Sequence, residues 1–338
     1  MVMPEPKVPF VDQVHEISKV RLKEPITDFR AWTLDTLDPD TTITYLSDDA
    51  LDDVQELARF IEDNPLPLLL HDPGHVDIPA LKAAMGMIGK RLREGPGFGV
   101  IDRLPLDDFD IETAKAIYWT MTRMIGRPVA QKWDGTMLND VRDAGKRGYG
   151  VRRSVTNEEL VFHTDNGFNL VLPDTVGLLC IHQAKEGGVS RFCSLYSMHN
   201  RLLEKYPREL DRLYQPVLFT RHAEHAEDEP KIMRAPVFHW DGNILSIRPN
   251  VNYIRQGYEL AGLDVDPELD DALGVLGEVA EEPDLWVQMR MERGQLQFLN
   301  NRGVVHYRSA FTDFDEPERK RHLIRIWCRE EGRPTYNG

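Results

Sequence analysis

Cysteine is scarce: the 338-residue chain carries three, Cys180, Cys193 and Cys328. An odd number with no CxxC pair excludes a disulfide framework and fits a reducing compartment, so a cytoplasmic protein is expected. Basic charge is also short, with 41 Lys and Arg against 56 Asp and Glu and a formal charge of −15. A field of that sign repels phosphate backbones and anionic lipid, so neither nucleic acid nor a membrane is expected as a partner. The longest aliphatic runs, such as Val176 to Ile181, are strand-sized, far below the about 20 residues of a membrane helix. The stretch from Met1 to Lys7 has no apolar core of a signal peptide. Internal repeats and low-complexity tracts are missing too. What remains is an ordinary globular composition, 41% hydrophobic, long enough to bury a real core.

The first 130 residues read as mainly helical. Asp52 to Asn64 places Val54, Leu57, Ala58 and Ile61 at helical spacing before Pro65. Pro79 to Arg93 and Asp110 to Ile125 repeat the pattern, the latter capped by Asp110, with a short strand at Gly97 to Asp102 between them. From about Val129 short apolar runs separated by Gly, Pro, Asn and Asp take over. They fall at 160–165, 176–183, 189–194, 217–220, 236–240, 244–247, 285–291, 296–300, 304–307 and 322–328. So many short strands predict an antiparallel sandwich or barrel, mainly β with flanking helices, interrupted by helices at 196–208 and 267–281. Asp241-Gly242 reads as a hairpin turn.

Residues two apart on a strand leave the same face, so His-x-Asp is a two-ligand clamp. The chain has three such pairs, at His75 and Asp77, His163 and Asp165, and His239 and Asp241. Asp77 more simply initiates the following helix, and Asp241 belongs to its turn. His163 and Asp165 stand where a strand runs into a loop, the place a barrel mouth holds ligands. His306, on an apolar strand, supplies a third ligand. Two His and one carboxylate with open positions form the facial triad of non-heme iron(II) oxygenases. Fifteen residues on, Arg321, Leu323, Arg325 and Trp327 share one strand face, and His322, Ile324 and Ile326 the other. Two arginines on an apolar strand are costly to bury without an anion, and a dicarboxylate cosubstrate is a fitting one. Pairing with the protein's own acidic residues is the simpler alternative. His322 points away from Arg321, which argues against it as a ligand.

Four segments together resemble the taurine dioxygenase and clavaminate synthase-like family of iron(II)- and 2-oxoglutarate-dependent oxygenases. They are Phe162 to Asp165, Gly187 to Ser190, Asn300 to His306 and Arg321 to Trp327. The similarity extends over roughly Phe98 to Arg329. It implies a double-stranded β-helix, or jelly roll, over residues 96–330, with residues 1–95 as a helical extension packed on that core and 331–338 as a tail. It also implies that His163, Asp165 and His306 hold iron, that Arg321 binds the distal carboxylate of 2-oxoglutarate with Ser190 assisting, and that Arg325 lies at the boundary of cosubstrate and substrate. Dioxygen is the second cosubstrate, succinate and carbon dioxide the coproducts, and hydroxylation of an unactivated C–H the default outcome, since Asp165 supplies the carboxylate that related halogenases lack. Tyr307, beside the distal ligand, is bulky enough to reshape the pocket.

Arg142, Lys146, Arg147, Arg152 and Arg153 against Asp143 make the stretch before the metal strand basic within an acidic chain. With Gly145, Gly148 and Gly150 it reads as a lid over an anionic, carboxylate-bearing small molecule, with Arg152, Arg153 and Asn157 nearest the substrate; a solvated loop paired with acidic neighbours such as Glu224 to Glu229 is the alternative. His222 and His225 are expected in an exposed loop, Trp119, Trp133 and Trp240 in the core, and Cys180 and Cys193 as inert buried thiols. Two other functions compete: a zinc- or other metal-dependent hydrolase or isomerase on a jelly roll, which needs no Arg321, and a non-catalytic binding protein with a vestigial site.

Overall fold

The computed structural model describes residues 6–14, 20–145, 151, 153–222 and 224–338. After β1 (Phe10–Asp12) and β2 (Ile43–Tyr45), α1 (Asp48–Asp63) starts where the Ser47 hydroxyl accepts the Ala50 N–H at 3.2 Å. Asp48 and Asp49 occupy its first turn, where the helix dipole favours negative charge. Val54, Leu57, Ala58 and Ile61 form its buried stripe, as their spacing predicts. α2 (Pro79–Glu94) departs from expectation at its start. Asp77 is exposed and caps nothing, while the Asp53 carboxylate on α1 accepts the Leu81 N–H at 2.9 Å. β3 (Phe98–Asp102) leads into α3 (Ile111–Arg123), whose cap, Asp110, accepts the Thr113 N–H at 2.7 Å.

The strands that follow are β4 (Arg127–Val129), β5 (Leu138–Val141), β6 (Leu160–His163), β7 (Thr175–His182), β8 (Glu186–Gly187) and β9 (Ser190–Ser194). The expected helix at 196–208 is two, α4 (Leu195–Lys205) and α5 (Pro207–Leu213), because Pro207 has no N–H to continue the first and opens the second. Then come β10 (Pro216–Thr220), β11 (Ile232–Pro236), β12 (Phe238–Trp240) and β13 (Leu245–Ile247). Between β12 and β13 the Asp241 carboxylate accepts the N–H groups of Asn243 and Ile244, both at 2.7 Å, so Asp241 is a turn residue. Next is α6 (Val251–Ala261), which the sequence reading lacks. Its Gly257 hides the helical pattern for a packing reason: a Cβ there would lie 2.6 Å from the Leu218 carbonyl oxygen of β10. The chain ends with α7 (Pro267–Ala280), β14 (Trp286–Met289), β15 (Leu296–Asn300), β16 (Val304–Arg308), β17 (Phe311–Thr312) and β18 (His322–Arg329).

Two sheets face one another. The larger runs β2-β3-β15-β7-β18-β4, with β5 also on β18; the smaller runs β14-β9-β16-β6. All pairs are antiparallel except β2 with β3. Phe98, Val176, Leu299 and Trp327 of the larger sheet meet Phe192 and Val304 of the smaller in the inter-sheet core. The period of two along β18 is obeyed: Ile324 and Ile326 pack outward on the layer of α1, α2 and α3, while Leu323 and Trp327 belong to inner clusters. A third cluster, built on β10 to β13 and α4 to α7, covers the outer face of the smaller sheet at Cys193 and Val305. This is a jelly-roll core with flanking helices, the expected architecture.

The first 95 residues contribute strands as well as helices, since β1 pairs with β11 and β2 with β3. The C-terminal residues fold back on the sandwich: the Pro334 carbonyl accepts the Ala130 N–H at 2.9 Å, and Tyr336 is buried. Among the described residues no helix is long and apolar enough to cross a membrane.

Candidate metal centre

His163 ends β6 and His306 is its cross-strand partner on β16, so both side chains leave one face side by side, with ring centroids 4.1 Å apart. Asp165 follows β6 by two residues. Its Oδ1 lies 3.6 Å from His163 Nε2 and 3.7 Å from His306 Nε2. All three are largely buried, and their ligand atoms lie within 4.8 Å of one another. The Val161 carbonyl, 2.9 Å from His163 Nδ1, fixes that ring so that Nε2 keeps its lone pair for the centre. Burial first, and His163 second, push His306 down to about 4, leaving it neutral as a metal ligand must be. Burial alone would raise the Asp165 carboxyl; the Arg325 guanidinium beside it outweighs that and holds the carboxyl well below the usual range. Two imidazoles and an ionised carboxylate converging in a buried pocket fit a divalent iron.

The loop after β6 is locally encoded. Asn166 adopts a left-handed φ of 59°, which Asn tolerates better than most residues, and its Oδ1 accepts the Tyr336 hydroxyl at 2.9 Å. Asn301, fully buried, holds the ligand's backbone from both sides: its Oδ1 accepts the Asp165 N–H at 2.8 Å and its Nδ2 donates to the Asp165 carbonyl at 3.0 Å.

Arg321 immediately precedes β18 and is 6% exposed, yet its Nη1 has no hydrogen-bond partner, and no carboxylate pairs with its guanidinium among the described residues. Burial pushes it down to about 10. Gly188, at φ 66°, leaves room for it: a Cβ there would lie 3.2 Å from Arg321 Nε. Ser190 and Arg321 border the same small gap. Arg325 is engaged, with Nη1 3.1 Å from Asp165 Oδ2 and Nε donating to Gln131 Oε1 at 2.8 Å. Trp327 Nε1 donates to the same Asp165 oxygen at 2.7 Å.

A cavity of about 580 Å³ opens beside His163, walled by β6 and α6; Val151, Thr156, His222, Asn250, Tyr253 and Gln256 are among its lining. His222 corrects the expectation of an exposed loop. It is buried at φ 49°, with its ring 4.8 Å from Tyr253 and 6.0 Å from Phe168. Of the basic stretch, Lys146, Arg147, Gly148, Gly150 and Arg152 lie outside the described residues, as does the side chain of Arg153. Arg142 bonds His322 at 2.8 Å and lies 3.9 Å from Asp140. His322 itself faces outward, 2.6 Å from Asp140. The backbone carbonyl of Asn157 accepts the Phe311 N–H at 3.1 Å.

Tyr307 turns to the outer face, against Phe162, with its hydroxyl on Glu159, so it does not reach the pocket. Trp119 is core in the layer of α1, α2 and α3, and Trp240 is half-buried against the cluster on the smaller sheet, but Trp133 is 52% exposed. All three cysteines are free and buried; burial raises the Cys180 thiol to about 12. Asn301, Gln131 and Trp327 were not singled out as site residues from the sequence. Each is one polar or aromatic position in an apolar context, and only the alternation along β18 hints at Trp327.

The family model described as "Taurine catabolism dioxygenase TauD, TfdA family" matches residues 62–327. FR-33289 synthase of Streptomyces rubellomurinus is 28% identical over 318 residues, 92% of each chain. A taurine hydroxylase-like protein of Stachybotrys chartarum is 23% identical, over 91% of this chain and 80% of that one. Among solved structures, asparagine oxygenase with Fe(II), hydroxyasparagine and succinate superposes with a TM-score of 0.63 at 21% identity, covering 85% of this chain and 93% of the other. The non-heme iron oxygenase OrfP with iron and α-ketoglutaric acid gives 0.61 at 14%, covering 86% and 94%. The chain thus belongs to the TauD/TfdA dioxygenase family and is an oxygenase of the iron(II)- and 2-oxoglutarate-dependent kind.

Proposed function

We propose that His163, Asp165 and His306 hold the iron, that Arg321 with Ser190 receives the distal carboxylate of 2-oxoglutarate, and that the enzyme hydroxylates an unactivated C–H of a small, carboxylate-bearing molecule. Bound iron with 2-oxoglutarate supplies dioxygen activation coupled to oxidative decarboxylation, giving succinate and carbon dioxide. The protein's part is to hold and dry the site. His163 and His306 present their Nε2 atoms, and ionised Asp165 its Oδ1, to the centre. The observation that carries the reading is Arg321, a buried guanidinium whose Nη1 has no hydrogen bond and with which no carboxylate pairs among the described residues; a dianionic cosubstrate would satisfy it. A zinc hydrolase gives that arginine nothing to do.

The substrate takes the cavity beside His163. Asparagine oxygenase and OrfP have been solved with hydroxyasparagine and hydroxyarginine, which favours an amino acid or a related small carboxylate here. Val151 and Thr156 line that cavity, and Arg152, Arg153 and Asn157, their neighbours in sequence, are proposed to meet the substrate's anionic end. Three unpaired, buried thiols suit a cytoplasmic location. The test is iron-dependent succinate formation across L-amino acids and small carboxylates. The reading expects a subset to stimulate succinate release, and Arg152→Ala with Arg153→Ala to raise their KM. Absence of 2-oxoglutarate turnover under every condition, with tight zinc binding, would contradict it.

A further inference from the structure

The two oxygens of Asp165 keep different company. Oδ1 faces the Nε2 atoms of His163 and His306, at 3.6 and 3.7 Å. Oδ2 accepts Trp327 Nε1–H at 2.7 Å and lies 3.1 Å from Arg325 Nη1. Arg325 is in turn held in place. Its Nε donates to Gln131 Oε1 at 2.8 Å, and Gln131 Nε2 donates to the Arg325 carbonyl at 2.7 Å and the Met137 carbonyl at 2.6 Å. Gln131 is fully buried, and Arg325 and Trp327 nearly so.

A carboxylate free to rotate can chelate a metal through both oxygens and fill a position that cosubstrate or dioxygen needs. Here rotation would break the buried Trp327 hydrogen bond and the Arg325 ion pair, and take the anion away from the Arg325 cation. On the reading that this triad holds iron, we propose that Trp327 and Arg325 are positioning residues that reserve Asp165 Oδ2, confine the ligand to Oδ1 and keep the remaining coordination positions open. Gln131 acts one step further out by fixing Arg325. Arg325 is then part of the carboxylate's support, and binding a substrate anion would require it to leave Asp165.

The test is anaerobic titration of the full-length protein with Co(II), whose visible spectrum reports coordination number, beside a titration with Fe(II) and 2-oxoglutarate. Trp327→Phe keeps a ring in the inter-sheet core but removes the N–H; Arg325→Gln removes the charge. Both are expected to bind Co(II) about 10–100-fold more weakly, the range for lost outer-shell partners of metal ligands. Their Co(II) spectra should weaken in the direction of a higher coordination number, and Arg325→Lys should recover part of the affinity. Wild-type affinity and an unchanged spectrum in both variants would overturn the positioning role. Should Trp327→Phe fail to fold, Arg325→Gln decides by the same criterion. If the wild type forms the visible 2-oxoglutarate chelate band while the variants match it, the positioning role alone falls; if the wild type forms no band, the iron reading falls with it.

Discussion

Arg321, just before β18, and Arg325, on it, stand four residues apart, both 6% exposed, and differ in their acidic partners. Arg325 has a carboxylate at 3.1 Å and an amide at 2.8 Å. Arg321 has an Nη1 without a hydrogen bond and no carboxylate paired with its guanidinium among the described residues, the Asp313 carboxylate accepting only its backbone N–H at 2.8 Å; both guanidinium groups lie over a ring, 5.0 Å from Phe311 and 4.8 Å from Trp327. A buried cation with its counter-ion is structural; the proposed function gives the other an anion from outside. On the proposed function, β18 supports the metal ligand through Arg325 and Trp327, and Arg321 at its entry receives the dicarboxylate.

The broadest way to break this comparison is to remove the metal. His163→Ala is expected to abolish turnover and iron binding, and retained succinate formation would refute the metal assignment. Next comes the receptor end. Arg321→Ala should weaken 2-oxoglutarate binding by roughly 100-fold or more, in keeping with about 3–5 kcal/mol for breaking a buried ion pair, as read by anaerobic titration; unchanged affinity would make the two arginines equivalent.

Stability of the metal-free protein sharpens the contrast. Arg325→Met strands Asp165 Oδ2 on one remaining donor and should cost about 3 kcal/mol in denaturant unfolding, whereas Arg321→Met removes an uncompensated charge and should be neutral or stabilising. Equal losses in both would erase the distinction. The smallest effect concerns a buried base outside the site. Burial pushes His199 from 6.5 down to about 4, with Nε2 2.9 Å from the Tyr214 hydroxyl. The unfolded chain therefore takes up this proton first, and stability is lost as pH falls from 6.5 towards about 4. His199→Phe should show a shallower decline of Tm over that window.

Much of the site was legible because strand geometry is simple. The short spacing of His163 and Asp165 brings both within reach of one ion, though Asp165 stands in the turn past β6, and a period of two along β18 places Trp327 on the inner face with Ile324 and Ile326 outside, as found. The strands with alternating or apolar runs were legible for the same reason. β4 and β5 were not: Arg127–Val129 is three residues long, and Leu138–Val141 carries Asn and Asp between its apolar ends. α6 was obscured by a glycine that its close approach to β10 demands. Asn301, Gln131 and the Trp327 indole act through single hydrogen bonds between strands far apart in sequence, and no local pattern announces such a partner. His222 misled because its histidine-and-acid-rich surroundings read as solvent-exposed, whereas the ring packs between Phe168 and Tyr253.

The account stands most directly on one titration. Under anaerobic conditions the wild-type protein, given Fe(II) and then 2-oxoglutarate, should develop the weak visible charge-transfer band of the chelated keto acid, saturating at one equivalent of each. With Arg321→Ala the band should need far more 2-oxoglutarate to appear. No band in the wild type, or the same saturation curve in both proteins, would contradict it.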